Sequence, residues 1–218
     1  AGIARFSLLE LRLQDTRLAA TGPVEIDFSA SAIDFVNANF AGSGSNLSII
    51  GRKALSPNAV NNLQINGRIN LAILNAFPQI SVTDTFFGGF SDIAIRVTCL
   101  NNSARLSGTA VLQNAAVATF VGTGRVSFDR LQGRILFTSN QAQLEEVSGY
   151  LGGGKFTAEG GAVFGDTLRI EALRLGLEGT NVKVPLRAAF IRPVGPNPEF
   201  SGRGKKAIFV LHIRGAGR

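Results

Sequence analysis

Apolar and polar residues alternate along most of this chain. Leu9, Leu11 and Leu13 are separated by Glu10 and Arg12, and Val24, Ile26 and Phe28 by Glu25 and Asp27. Ile65, Ile69, Leu71 and Ile73 share one phase with Gly67, and Ile93, Ile95 and Val97 follow. Val126 and Phe128, then Leu168, Ile170 and Ala172, then Thr180, Val182, Val184 and Leu186 continue the pattern. A period of two marks strands with one apolar and one wet face. Breaks are expected at Gly42-Ser-Gly, Asn61-Asn62, Gly88-Gly89, Asn101-Asn102, Gly152-Gly-Gly154, Gly160-Gly161 and Gly165-Asp166, whose residue types suit tight turns. Only Leu71–Phe77 has helical spacing, and Pro78 would stop it after one or two turns. Turns at about every 8–12 residues predict an all-β fold with at most one short helix. Past Pro185 the alternation fades. Residues 188–204 read as a loop or linker, and alternation returns at Ile208, Val210 and His212. The chain thus divides into a strand-rich segment, 1–187, and a basic loop with a terminal strand, 188–218.

Three stretches share the form apolar–x–Gly–x–apolar–x–apolar: Ile65–Leu71, Leu106–Leu112 and Leu131–Phe137. Their irregular spacing suits successive hairpins on one plan better than a strict solenoid. Apolar residues make up 45% and charged residues 17%, which excludes intrinsic disorder. The longest uncharged run, Leu106–Gly124, contains Ser, Thr, Gln and Asn and does not read as a membrane helix. The first residues lack the basic-then-apolar order of a secretory signal. The net charge of +7 gathers late: from Arg187 onward five Arg and two Lys face one Glu. Such a tail suits solvent or an anionic membrane surface. Nucleic acid is disfavoured, because no RNA-binding motif accompanies the charge.

Candidate chemistry is sparse. Gly149-Tyr-Leu-Gly-Gly-Gly154-Lys155 fits the opening of a phosphate-binding P-loop, but Phe156 stands where a Ser or Thr would hold magnesium, and a strand pattern follows. His212 is the sole histidine, no G-x-S-x-G elbow occurs, and one His with one Cys cannot make a metal site. Cys99 reads as a small apolar residue, unable to form an internal disulfide. Glu145 and Glu146 are adjacent, so a regular strand would point them to opposite faces. No catalytic residue, metal or cofactor is assigned, and the expected class is non-enzymatic.

The apolar face remains. A closed sandwich or barrel would use it as core, giving a structural or adhesive protein with no lipid. An open, curved sheet would present it as a groove needing an apolar ligand. Periodicity leaves both open.

Several motifs carry a family resemblance: Ile69-Asn-Leu-Ala-Ile-Leu-Asn-Ala-Phe-Pro-Gln-Ile80, Leu106-Ser-Gly-Thr-Ala-Val-Leu-Gln-Asn-Ala115, Phe128-Asp-Arg-Leu-Gln-Gly-Arg-Ile-Leu-Phe-Thr138, Tyr150-Leu-Gly-Gly-Gly-Lys-Phe-Thr-Ala-Glu-Gly160 and Val182-Lys-Val-Pro185. In this order, across about residues 50–187, the chain resembles the TamB and AsmA-like proteins of the translocation and assembly module. The resemblance implies an elongated, curved antiparallel sheet, a β-taco, with an apolar inner groove. It implies a segment of a larger membrane-anchored protein in the periplasm, or cell envelope, of a diderm bacterium. Its partners would be phospholipid acyl chains and outer-membrane assembly proteins. On this reading the groove is lined by Ile135, Phe137, Phe156, Leu168, Ile170, Val182 and Val184.

Overall fold

The computed structural model describes residues 2–13, 16–55, 60–76, 85–100, 103–121, 124–166, 168–182 and 206–214. Fourteen strands form one sheet. They are β1 (Gly2–Phe6), β2 (Glu10–Leu13), β3 (Thr16–Ala20), β4 (Val24–Phe28), β5 (Ala32–Gly42), β6 (Ser45–Ala54) and β7 (Asn61–Asn70), then a 3-10 helix (Leu71–Ala76). β8 (Phe86–Leu100), β9 (Ser103–Val121), β10 (Gly124–Ser139), β11 (Gln141–Leu151), β12 (Gly154–Phe164), β13 (Ile170–Thr180) and β14 (Lys206–Arg214) follow. From β4 to β14 each strand pairs antiparallel with the next in sequence. β1 pairs with β4, and the β2–β3 hairpin docks on β5 through Ala19–Ala41 and Ala20–Phe40. β1 and β14 each have one neighbour, so the sheet is open. No helix among the described residues is long and apolar enough to cross a membrane.

Several expected boundaries shift. Gly88-Gly89 and Gly160-Gly161 lie inside β8 and β12, where they bend strands instead of ending them. The strand expected from Leu168 begins at Ile170: Leu168 has φ 60° and donates its N–H to the Gly165 carbonyl at 3.0 Å, completing a turn. The strand expected over Thr180–Leu186 does not form at its start, because β13 ends at Thr180 and Asn181 turns at φ 58°. Residues 183–205, with the expected 188–204 loop, lie outside the described residues, as does Pro78. The terminal strand expected at Ile208–His212 is β14 and belongs to the same sheet.

The sheet is bent along a line of irregularities. β9 carries one extra residue between Leu112 and Ala116, β10 one between Phe128 and Leu131, and β11 one between Leu144 and Val147. Within these bulges Asn114, Arg130 and Glu146 each have φ 52°. Each bulge adds a residue to one strand, so it kinks that strand and increases its twist. Aligned over three neighbours, bulges curl a sheet. The glycine shared by the three repeats is a second device. Gly108 has φ 119°, and a Cβ there would stand 1.9 Å from the Ala94 carbonyl oxygen, so only glycine fits. Gly67 and Gly133 share the conformation, at φ 127° and 133°.

Packing concentrates at one end of the strands. Leu18, Val24, Ala38, Phe40, Leu47 and Ile73 form one buried cluster, and Ala115, Val126, Leu131, Leu151 and Phe156 another. The 3-10 helix links them, with Ile73 and Leu74 on the first and Leu71 on the second. Its position is held at both ends. Asn70 Oδ1 accepts the Ala72 N–H at 3.0 Å and its Nδ2 donates to the Ser43 carbonyl at 2.9 Å, while Asn75 holds both backbone groups of Phe87. The first bond satisfies an N–H that the helix start leaves unpaired, and the others fasten the helix to the β5–β6 turn and to β8.

Candidate functional site: the half-open apolar face

Cross-strand register traces one face through the sheet. Phe40, Leu47, Gly67, Ile93, Ala110, Ile135, Leu144, Gly160 and Leu175 are successive partners from β5 to β13. The parallel row is Ala38, Ile49, Ile65, Ile95, Gly108, Phe137, Ala142, Ala162 and Leu173. Neither row holds a polar side chain. The row between them, on the opposite face, runs Asn39, Ser48, Asn66, Ala94, Thr109, Leu136, Gln143, Gly161 and Arg174. Nine strands at ~4.8 Å spacing give an apolar strip with a contour of about 38 Å.

This strip is only partly covered. At its β5–β6 end Ala38, Phe40 and Leu47 are buried, but from β7 to β13 Ile65, Ile95, Ile135, Phe137, Leu144 and Leu173 are all only partly buried. Large side chains on the inner face of a closed sandwich of this size would be almost wholly covered. The half-covered stretch lies toward the strand ends remote from the 3-10 helix.

Those ends are tied together. The Ala104 N–H donates to the Asp166 carbonyl at 2.8 Å, Ser103 Oγ to Asp166 Oδ1 at 2.7 Å, and Arg105 to the same oxygen at 3.3 Å. The Ser103 hydroxyl, followed by Arg105, holds the Asp166 carboxyl below the usual carboxylate range.

The expected groove residues divide into groups. Ile135 and Phe137 sit in the two apolar rows and are partly buried. Phe156 is on the same face but only 5% exposed: its ring meets Phe128 edge-on at 5.6 Å between centroids, above Gly149. A Cβ on Gly149 would lie 2.8 Å from Leu131 and 3.2 Å from Phe156, so this glycine makes room for the aromatic pair. Phe156 is core at this end, not open wall. Ile170 is 49% exposed and pairs with Phe164 at the β12–β13 turn. Leu168 occupies that turn instead of a strand, and Val182 packs against the second cluster just after β13. Val184 lies outside the described residues. Ile65, Ile93 and Ile95 belong to the same wall, and the alternation that predicted their strands was the signal that could have placed them there.

The other candidates fall at a hairpin, a bulge and a strand end. The P-loop look-alike is the β11–β12 hairpin, turning at Gly152-Gly153, with no helix after Lys155. Glu145 and Glu146 sit in the β11 bulge, which breaks the expected opposition of their faces, and Glu145 pairs with Arg134 at 3.5 Å. Cys99 is half-buried in β8, opposite Asn61 and Ala104. No group of three His, Cys, Asp or Glu that could hold a metal occurs among the described residues. Comparisons of the chain with family models, with curated proteins and with solved structures return no match.

Proposed function

We propose that this chain is a non-enzymatic, groove-bearing segment that shields phospholipid acyl chains, as its resemblance to the TamB and AsmA-like proteins implies. The observation that carries the reading is the only partly buried, uncharged strip from β7 to β13, backed by a more polar opposite face. A surface of this kind in water needs an occupant. An acyl chain would be held by burial alone, at about 0.8 kcal/mol per methylene. With no polar group in either row, neighbouring positions are near-equivalent, so a chain could slide instead of docking at one point. On this reading the segment belongs to a larger anchored protein of the periplasm and works beside outer-membrane assembly proteins.

The test is site-specific photocrosslinking in cells. A benzophenone side chain at Ile95 or Phe137 should capture phospholipid, and one at Leu136 or Gln143, on the wet face, should not. Equal labelling of both faces, or none at Ile95 and Phe137, removes the lipid reading. The two buried clusters favour a second reading, a structural sheet whose apolar face is core. That reading predicts no lipid in the purified protein by native mass spectrometry.

A further inference from the structure

A hollow of about 660 Å³ lies on the wet face and crosses β9 to β13. It adjoins the bulge line, and two of its lining residues, Asn114 and Arg130, have φ of 52°. Non-glycine residues rarely adopt this conformation, and where they do it often positions a side chain. The Arg130 guanidinium lies over the Tyr150 ring, 5.4 Å from its centroid, and Lys155 is the direct cross-strand partner of Tyr150. The next residues in register are Gln132, Ser148 and Thr157, all lining the same hollow. Neither Arg130 nor Lys155 is ion-paired to a carboxylate among the described residues. The rim carboxylate, Glu178, has an interaction of its own.

We infer that this hollow binds a phosphate group. Two cations, a phenol and the Ser148 and Thr180 hydroxyls supply charge and donors around one space, which the Tyr150 and Phe156 rings also line, while the Thr157 hydroxyl donates to the Glu178 carbonyl at 3.5 Å. A lysine acts on phosphate as a compact point charge, and an arginine already stacked on a ring loses little freedom on binding. The volume lies in the range of small-ligand sites, so it admits a phosphate ester as well as the bare ion. Phosphate could come from a lipid headgroup or from a soluble phosphorylated solute. The site stands on the opposite face from the acyl strip and does not depend on it.

Tyr150 is the sole tyrosine and the chain has no tryptophan, so intrinsic tyrosine emission reports on this hollow alone. Inorganic phosphate should change that emission saturably in the full chain, beyond any effect of chloride at equal ionic strength. Lys155→Gln should weaken binding at least about tenfold, as expected for a lost charge-assisted contact. Arg130→Asn should do the same while tolerating the left-handed backbone, and unchanged circular dichroism for both variants confirms folding. Competition by anionic but not zwitterionic vesicles assigns the source to lipid, and its absence assigns it to solutes. A response equal to that of chloride, or one that both folded variants retain, overturns the site.

Discussion

The backbone N–H of Ala104 and the carbonyl of Asp166 are hydrogen-bonded at 2.8 Å although two whole strands separate their own. Flat pairing would hold β9 and β12 three spacings, about 14 Å, apart. The contact therefore measures how far the sheet curls, with β9 and the β12–β13 turn meeting over the tip of the β10–β11 hairpin.

Loosening this tie should be visible locally. In Asp166→Ala the bonds to Ser103 and Arg105 are lost, and the Ala104 amide should exchange faster, with little change in global melting because the group is exposed. The pH dependence has the matching sign. The Asp166 pKa is depressed in the fold, first by Ser103 and then by Arg105. Its contribution is present above the unfolded value, about pH 4, and is lost as pH falls through the lower folded value. Exchange at Ala104 that is insensitive to both acid and the substitution would show that the carboxylate does not hold the turn.

Two glycines should respond oppositely to alanine. Gly108→Ala places a methyl against the Ala94 carbonyl at a positive φ. It should cost about 2–4 kcal/mol or prevent folding. A Cβ at Gly22 meets nothing within 4 Å, so Gly22→Ala should be neutral or stabilise by about 0.4–1 kcal/mol. Urea denaturation of the pair checks the contrast, and similar midpoints would refute the kink at Gly108.

Phe156 and Ile170 separate core from rim. Phe156→Ala removes a side chain packed on Phe128 and should cost about 3–5 kcal/mol. Ile170→Arg, at a position 49% exposed, should leave melting within about 1 kcal/mol of the parent. It should also reduce lipid capture from a crosslinker at Phe137. An unfolded Ile170→Arg protein would place Ile170 inside a closed core.

Nucleotide binding offers a further check. Phe156 points to the apolar face and no helix follows Lys155, so magnesium has no ligand beside the hairpin. Magnesium should not strengthen the affinity of the chain for ATP, as measured by calorimetry with and without the ion.

Strand positions and facing were readable because alternation reports directly on a half-wet sheet, as in Val24–Phe28 and Ile93–Val97. The antiparallel, nearly helix-free architecture followed from it, while its openness did not, and even the loose repeat had a cause, the kinked Gly67, Gly108 and Gly133. The bulges were not legible. Arg130 and Glu146 have no composition that announces a positive φ, and the strain is imposed by neighbouring strands. The same difficulty misplaced Gly88-Gly89 and Gly160-Gly161, since glycine serves a turn and a bend equally well. At the site, Ile135 and Phe137 lie on the apolar face. The burial of Phe156 depends on Gly149 and Phe128, contacts between strands that a local pattern does not encode.

From β4 to β14 the order in space is the order in sequence. Every strand pairing there joins immediate successors, so much of the stability is a sum of neighbouring terms, as in repeat proteins, with the Ala104–Asp166 tie and the buried clusters added to it. Such an array gains or loses whole hairpins without rewiring the rest, which makes its length an adjustable property. It also frays from its margins, so amide protection should peak in β8–β10 and decline toward β1 and β14. A groove built this way has no fixed length of its own: it is as long as the number of hairpins the chain supplies.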